Sequence, residues 1–318
     1  MALLEIEDLH VGYPTVTGVA ELVRGLRFTV DAGEAVGLVG ESGSGKSQTA
    51  LAILQLLRPP VRILKGTIRF DGQDLASADE RMMRPLRGSA ISMVFQDALS
   101  GLNPAFTIGQ QLTDVITAHR RCSRAEAIRI AVDALGMVGI REPESRLAQY
   151  PHQFSGGMRQ RVLIAMAIAC RPKLLIADEP TTALDVTVQA QIVELLADLR
   201  ERLGLALLFI THNLDLMSQV CGRAVVLYGG MLMEEAPVSA LFATPRHPYT
   251  RALLACVPRL SDAPGAINSI EGSPPVAGRL GPGCPFVPRC ALQVVQCAER
   301  PPERVGASRR VACWRAEA

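Results

Sequence analysis

The segment from Gly40 to Ser47 carries the most specific chemical pattern in the chain. It reads Gly-Glu-Ser-Gly-Ser-Gly-Lys-Ser and satisfies the pattern G-x-x-x-x-G-K-S/T. The glycines let successive backbone N–H groups turn toward phosphate oxygens, Lys46 supplies a positive charge, and Ser47 supplies a hydroxyl ligand for Mg²⁺. The pattern therefore predicts a site for a nucleotide triphosphate. The residues predicted to line it are Gly40, Ser42, Gly43, Ser44, Gly45, Lys46, Ser47 and Gln48.

The segments on either side of this pattern are those that a phosphate-binding loop requires. Residues 34–39 form a short apolar run that is typical of a strand, and residues 48–54 have the composition of a helix. A helix that begins at the loop adds the positive end of its dipole to the site. A glycine turn with an incidental lysine is the alternative, and the flanking strand and helix argue against it.

Polar residues follow three other apolar runs that are predicted to be strands. Gln96 follows 91–95, Asp178 and Glu179 end the run that begins at Leu174, and His212 follows shortly after 205–210. In an open α/β sheet, ligands bind outside the carboxyl ends of the strands, so these side chains are candidates for one site. Asp178 would hold the metal through water, and Glu179 would orient or polarise an attacking water.

Three further positions are candidates for contacts with a nucleotide. Ser155-Gly156-Gly157 precedes an apolar helix predicted over 159–169, and its glycines leave N–H groups open to an anion; a simple helix cap is the alternative. Asp185 lies in the loop before a helix predicted over 186–203. Tyr13 is predicted in a loop between two strands, where its ring could stack on a base or lie on the surface.

The composition is that of a globular protein without an electrostatic signature for nucleic acid. The 318 residues are 48% hydrophobic and 20% charged, with a formal net charge of +2. Without a basic stripe, we expect no nucleic-acid partner. The N-terminal residues are acidic rather than basic, and no apolar run approaches the roughly 20 residues that span a bilayer. These features predict a cytosolic chain, in which clustered cysteines bind metals more often than they form disulfides.

Residues 256–318 differ in composition from the rest of the chain. Frequent prolines exclude long helices, and few large apolar residues remain to form a core. This segment therefore requires another source of stability, such as a bound metal or a cross-link. Its four cysteines are Cys284, Cys290, Cys297 and Cys313. Four thiolates suit either Zn²⁺ or an iron–sulfur cluster, and their spacing lacks the C-x₂-C pairs that are common in zinc sites. Free or disulfide-bonded cysteines are the remaining alternative.

Together, these motifs resemble the ATP-binding cassette (ABC) ATPases of membrane transporters, in the family's order and spacing over residues 1 to about 255. The resemblance implies an α/β fold: a P-loop, RecA-like nucleotide-binding domain over 1–255. This domain would include an antiparallel β subdomain and a helical subdomain at about 97–170. A small loop-rich, cysteine-containing extension over 256–318 would follow.

The resemblance also implies roles for the candidate residues. The cofactors would be ATP and Mg²⁺, with the metal held by Ser47, Gln96 and Asp178, and the catalytic residues would be Glu179, His212 and Lys46. Tyr13 would stack on adenine, Gln96 would sense the γ-phosphate, and His212 would contact it; Asp185 belongs to the same site. In this family the Ser155-Gly156-Gly157 signature closes over ATP held by another ATPase domain, so a sister subunit or a second copy is implied.

Three segments resemble more narrowly the dipeptide, oligopeptide and nickel permease branch of importers: Phe95–Pro104, Glu179–Gln191 and His247–Leu254. This resemblance implies an ATP-hydrolysing subunit for uptake of dipeptides or oligopeptides, at the cytoplasmic face of the cell (inner) membrane. Its partners would be two transmembrane permease subunits, docked near Leu102–Gln110, and an extracytoplasmic peptide-binding protein. The alternatives are import of nickel, glutathione or another small solute, and a soluble ABC ATPase of DNA repair or translation.

The same branch carries a C-terminal extension with four cysteines, which favours a four-iron four-sulfur cluster over zinc at Cys284, Cys290, Cys297 and Cys313. Three positions depart from the family pattern. Phe154 and Met158 stand where the family usually has Leu and Gln, and Asn213 stands where it usually has Asp. Because the serine and glycines of the signature remain, we expect it to function.

Overall fold

The computed structural model describes residues 2–16, 18–96, 101–182, 184–257, 269–276, 278 and 280–316. Its strands are β1 Leu4–Thr15, β2 Gly18–Val30, β3 Ala35–Val39, β4 Arg62–Phe70, β5 Gln73–Asp74, β6 Ile91–Val94, β7 Leu174–Asp178, β8 Ala206–Thr211, β9 Arg223–Tyr228, β10 Met231–Pro237, β11 Glu303–Val305 and β12 Arg310–Ala312. Its α-helices are α1 Lys46–Ile53, α2 Glu80–Leu86, α3 Ile108–His119, α4 Arg124–Met137, α5 Pro143–Arg146, α6 Gly156–Ile168, α7 Val186–Leu203, α8 Leu214–Ser218, α9 Val238–Ala243 and α10 Pro248–Ala255. Short 3-10 helices lie at Pro151–Gln153, Val287–Arg289 and Val295–Ala298.

The chain divides into two compact units. Unit 1 contains residues 1–31, 35–77 and 210–318, and unit 2 contains residues 32–34 and 78–209. The phosphate-loop pattern and the four grouped cysteines therefore lie in unit 1, whereas Gln96, Glu179 and the Ser155 signature lie in unit 2. In the part of the chain that the structure describes, no helix is long and apolar enough to cross a bilayer.

Unit 1 contains an antiparallel sheet in the order β2-β1-β4-β5. The β1–β2 hairpin extends to the pair Thr15 and Gly18, and Tyr13 lies inside it, paired with Ala20. The prediction of a loop at Tyr13 is therefore wrong. Gly12 and Pro14 interrupt the alternation of apolar and polar residues that marks a strand, but hydrogen bonding to β2 continues past them.

The remaining strands of unit 1 run in the order β11-β12-β10-β9-β3. β3 pairs with β9 in parallel, and all five residues of β3 are buried, as expected for a strand covered on both faces. β12 pairs with β10 through Glu234–Val311 and Glu235–Arg310. The C-terminal segment thus contributes strands to the same unit as the phosphate loop.

Unit 2 contains most of β8, then β7 and β6 in that order, and most of the helices. β6 and β7 are parallel, so Gln96 and Glu179 follow strands that end at the same edge. Helix α7 spans Val186–Leu203, the range that its composition predicts, and buries Ile192, Leu196 and Leu199 at helical spacing. Residues 97–100 and 183, which belong to the predicted Phe95–Pro104 and Glu179–Gln191 motifs, lie outside the described residues.

Candidate functional site

The loop before helix α1 has a backbone that two of its glycines make possible. Gly40 has φ +156° and Gly45 has φ +100°, both in a region that favours glycine. A Cβ on Gly40 would lie 2.1 Å from the Leu227 carbonyl oxygen, and one on Gly45 would lie 2.7 Å from the Leu22 carbonyl oxygen. Since backbone packs against the loop from both sides, a side chain at either glycine would push the loop out of shape.

Lys46 is the first residue of α1 and its side chain is buried within the loop, with 4% of the residue exposed. Its Nζ donates to the carbonyl oxygen of Gly40 at 2.7 Å, to that of Glu41 at 3.0 Å, and to Ser44 Oγ at 3.4 Å. The ammonium group is therefore held over the loop by three oxygens. A buried ammonium at the first residue of a helix is an arrangement that suits phosphate.

In unit 2, Gln96 and Glu179 are brought together as the sequence predicts. Gln96 Nε2 donates to Glu179 Oε2 at 2.9 Å, and Thr182 Oγ1 donates to the same oxygen at 3.0 Å. Glu179 has φ +46°, a left-handed conformation that costs a non-glycine residue about 1–3 kcal/mol. In this conformation the Glu179 carboxylate accepts from two hydrogen-bond donors.

Three of the predicted polar residues lie at the ends of a strand or helices of unit 2. Asp178 is the last residue of β7 and is 5% exposed. Ser155 caps α6, where its hydroxyl accepts from Met158 N at 3.3 Å, and Asp185 caps α7, where its carboxylate accepts from Val188 N at 3.0 Å. The capping of α6 is thus confirmed, and Ser155 and Gly156 are also exposed at its N-terminus.

The positions that depart from the family pattern have structural roles. Phe154 is 3% exposed and belongs to the core, and Met158 donates the backbone N–H that Ser155 accepts. Asn213 caps α8, because its Oδ1 accepts from Asp215 N at 3.0 Å and Leu216 N at 3.2 Å. His212, immediately before it, is exposed and belongs to unit 1. The asparagine therefore keeps the hydrogen-bond acceptor that an aspartate would supply at this helix start.

The four C-terminal cysteines line one small cavity in unit 1, together with apolar side chains such as Phe286 and Trp314. All eight cysteines of the chain lie in the described residues and are free thiols. Burial raises the pKa of the Cys284 thiol to about 11, with a smaller contribution from the neighbouring thiols. Among the described residues, no group of three His, Cys, Asp or Glu side chains is arranged to hold a metal ion.

The sequence interpretation missed the residues that support the phosphate loop. Tyr249 is completely buried, and its hydroxyl accepts a hydrogen bond from Glu41 N at 2.9 Å. Arg289 forms a bidentate ion pair with the Glu41 carboxylate, with N–O distances of 2.6 and 3.2 Å. Pairs so far apart along the chain leave no periodic signal, although the position of Arg289 beside Cys290 could have drawn attention to it.

Comparison with known proteins identifies the family. A model of the ABC transporter family matches residues 23–182, which is half of the chain. The chain belongs to the ABC transporter family. A second model, for the C-terminal region of oligopeptide and dipeptide transporters, matches residues 233–297 of this ABC protein.

Relatives of this ABC protein match almost its whole length. It is 47% identical over 314 residues to the oligopeptide transport ATP-binding protein OppD of Salmonella typhimurium, covering 98% of this chain and 93% of the relative. It is 43% identical over 315 residues to the dipeptide transport ATP-binding protein DppD of Bacillus subtilis, covering 98% and 94%. Among solved structures, the chain is similar to the ATP-binding cassette MJ0796, which was solved as a dimer in a post-hydrolysis state bound to ADP and Pi. The two share a TM-score of 0.66 and 26% sequence identity, and the match covers 74% of this chain and 98% of that one. The predicted cassette fold is thereby confirmed.

Proposed function

We propose that this chain hydrolyses ATP to drive the import of dipeptides or oligopeptides through a membrane permease. The observation that carries the proposal is the pair of family matches on one chain: an ABC transporter cassette and the C-terminal region of peptide transporters. The full-length similarity to oligopeptide and dipeptide transport ATP-binding proteins supports it. The chain would act at the cytoplasmic face of the membrane.

The residues of the site fit ATP and Mg²⁺. The loop of unit 1 would offer the buried Lys46 ammonium and the N-terminus of α1 to the phosphates. Ser47, Gln96 and Asp178 would supply hydroxyl, amide and carboxylate oxygens, which are the ligands that Mg²⁺ prefers. When bound, Mg²⁺ neutralises charge that develops on the phosphate oxygens.

Glu179 would polarise the water that attacks the γ-phosphate. Hydrogen bonds from Gln96 and Thr182 would hold the Glu179 carboxylate in position. His212 would contact the γ-phosphate, and Tyr13 would stack on adenine. The Ser155-Gly156-Gly157 signature would close over ATP held by a sister subunit or a second copy. The dimeric MJ0796 structure with ADP and Pi supports this arrangement.

A permease subunit would dock on the helical part of unit 2. An open cavity of about 320 Å³ lies there between Phe106 and Arg124, and it is also lined by Gln110, Thr113, Asp114 and Thr117. Phe106 is 47% exposed, so the cavity offers an aromatic anchor beside polar groups. An extracytoplasmic binding protein would deliver the peptide to the permease.

The four C-terminal thiols would hold a four-iron four-sulfur cluster, with zinc as the alternative. All four line one cavity, which supports a ligand that they share. A single zinc ion requires its thiolates to converge tightly around one point, whereas a cluster takes each thiolate on a different iron. The match of this segment to the C-terminal region of oligopeptide and dipeptide transporters supports the cluster over zinc. Anaerobic purification should give a brown protein with absorption near about 400 nm, whereas a colourless protein with one zinc per chain would contradict the cluster.

The proposal is tested by isolating the tagged chain with its partners from membranes of its own host. We expect two multi-span membrane proteins to copurify, and ATP hydrolysis to rise when the binding protein is added with a di- or oligopeptide. Lys46→Ala should abolish nucleotide binding, whereas Lys65→Ala, which removes only a surface ion pair to Asp8, should not.

The alternatives give different results in the same experiment. Stimulation by nickel or glutathione instead of peptides would change the cargo and retain the transporter. Copurification with ribosomes or DNA-repair proteins, without membrane subunits, would replace the transporter with a soluble ABC ATPase. Unchanged nucleotide binding by Lys46→Ala would refute the assignment of the phosphate loop.

A further inference from the structure

Glu41, the second residue of the phosphate loop, is held at both its backbone and its side chain by residues of the C-terminal part of unit 1. Its N–H donates to Tyr249 Oη at 2.9 Å, and its carboxylate receives two hydrogen bonds from Arg289. Its own carbonyl oxygen accepts from Lys46 Nζ at 3.0 Å. A single residue, Glu41, therefore connects Lys46 to the C-terminal segment.

Arg289 is built into this position rather than resting on the surface. Its side chain is 4% exposed, and all five of its N–H donors have acceptors. Apart from the two bonds to Glu41, Nη1 donates to Tyr228 Oη at 3.0 Å, Nη2 to the Ile270 carbonyl oxygen at 2.8 Å, and Nε to the Glu271 carbonyl oxygen at 2.8 Å. A buried guanidinium with every donor satisfied has one allowed orientation, so it can fix the carboxylate that it binds.

The segment between Cys284 and Cys290 fixes the backbone of Arg289. The backbone N–H of Arg289 donates to the Phe286 carbonyl oxygen at 2.9 Å within the 3-10 helix. The Phe286 ring packs against the rings of Tyr228 and Tyr249, with centroid distances of 5.3 Å to each. The same aromatic cluster therefore positions both groups that hold Glu41.

A second route joins this segment to the loop. A Cβ added to Gly229 would lie 2.6 Å from Pro285 Cβ, so Pro285 packs closely against the turn between β9 and β10. The next residue of that turn, Gly230, donates its N–H to the Ser44 carbonyl oxygen at 3.1 Å. The cysteine-bearing segment thus supports the phosphate loop at Glu41 and at Ser44.

We propose that Arg289 is a positioning residue for nucleotide binding, through which the C-terminal segment holds the phosphate loop in its binding conformation. This inference rests on the proposed function. It assigns to the segment a role in affinity for ATP, separate from any group that its cysteines bind.

Two physical effects give the sign of the expected change. Without Arg289 the loop loses an anchor, so ATP must order it on binding and the affinity falls. The Glu41 carboxylate is also left without its cation at the loop that must accept a triphosphate, which repels the ligand. Since a charge-assisted bidentate pair is lost, we expect Arg289→Ala to weaken ATP binding about tenfold.

The test measures ATP affinity of the full-length chain in a Glu179→Gln background, so that hydrolysis does not consume the ligand. Arg289→Ala, Arg289→Lys and Arg289→Ala with Glu41→Gln are compared with the parent. Arg289→Lys should recover part of the affinity, and Glu41→Gln should restore part of what Arg289→Ala loses because it removes the unpaired charge. Arg202→Ala, which breaks an exposed ion pair to Asp198 on α7, is the matched control and should bind ATP like the parent.

Further readouts separate positioning from a general loss of structure. In the assembled transporter, Arg289→Ala should raise the KM for ATP and change kcat little, a split that unfolding would not produce. If Arg289→Ala does not fold, Tyr249→Phe replaces it, because that change removes only the hydroxyl that accepts from Glu41. Parent-like ATP affinity in the folded variant would overturn this inference alone, whereas a parent that does not bind ATP would overturn the proposed function.

Discussion

Gln96 Nε2 donates a hydrogen bond to Glu179 Oε2 over 2.9 Å, which joins the residues that follow two parallel strands of unit 2. A glutamine that binds metal through its oxygen can hold a carboxylate through its nitrogen at the same time. The pair is exposed, so its contribution to stability is small. Its value lies in orienting the carboxylate that we propose as the base.

Replacing that base gives the first prediction. Glu179→Gln keeps the size and an acceptor oxygen for Gln96 but cannot take a proton. We expect ATP hydrolysis by the assembled transporter to fall about 10²- to 10⁴-fold, with ATP binding retained. Glu201→Gln, an exposed glutamate near the end of α7, is the control and should hydrolyse ATP normally. Hydrolysis at the parent rate in Glu179→Gln would remove Glu179 from its catalytic role.

Two serines with the same local geometry allow the signature to be tested separately from helix capping. Ser155 Oγ accepts from Met158 N at 3.3 Å, and Ser123 Oγ accepts from Glu126 N at 3.2 Å at the start of α4. Each Ser→Ala change should lower the free energy of unfolding by about 1 kcal/mol. Only Ser155→Ala should also slow ATP hydrolysis in the assembly, by about tenfold, because only that hydroxyl would meet phosphate. Equal hydrolysis by the two variants would leave Ser155 as a cap alone.

Alanine substitutions at two glycines should separate the effect of a steric clash on ATP binding from the effect of backbone strain on stability. Gly40→Ala places a Cβ 2.1 Å from a carbonyl oxygen, whereas Gly72, which has φ +79°, has no atom within 4 Å of an added Cβ. Gly72→Ala should cost only about 1 kcal/mol of stability and leave ATP binding unchanged. Gly40→Ala should lower the affinity for ATP by a measurable amount, because the loop must move to admit the methyl group. Titration with a fluorescent ATP analogue and chemical unfolding would measure both quantities.

His247 predicts a pH dependence of stability. Its Nδ1 accepts from Tyr249 N at 3.0 Å, and burial lowers its pKa from 6.5 to about 3. The folded protein therefore keeps His247 neutral, while the unfolded chain takes up a proton below pH 6.5. The stabilisation is complete above that pH and is lost as pH falls toward about 3, with about 1 kcal/mol lost between about pH 7 and 5.5.

The control for this prediction is His247→Asn, which retains a side-chain oxygen able to cap α10 but does not titrate. Urea unfolding at both pH values should show a smaller loss in the variant than in the natural protein. Equal losses would show that other groups account for the pH dependence. Comparing the change with pH, rather than the absolute stability, removes the effect of the smaller side chain.

The sequence predicts best what depends on neighbours along the chain. The span of α7, the cap at Ser155 and the strands before Gln96 and Glu179 follow from periodicity and turn chemistry. Tyr13 was misplaced because the strand there is maintained by pairing with β2 and not by its own pattern. Local signals are sufficient only where the local segment itself decides the conformation.

The support of the phosphate loop could not be predicted, for a related reason. Glu41 and Arg289 are separated by 248 positions, and an arginine in a proline-rich segment has no distinctive local pattern. The pair exists because the C-terminal segment folds back onto the loop. Only the three-dimensional arrangement makes one a partner of the other.

The pairing of β12 with β10 has a consequence for how this protein can be divided. Removing residues from β11 onward would leave the outer side of β10 as an unpaired strand edge. Such an edge is a template for intermolecular pairing, and the buried Glu234 carboxylate would lose Arg309 close to it. A shortened cassette would therefore tend to self-associate and precipitate, so its oligomeric state would not represent that of the whole chain.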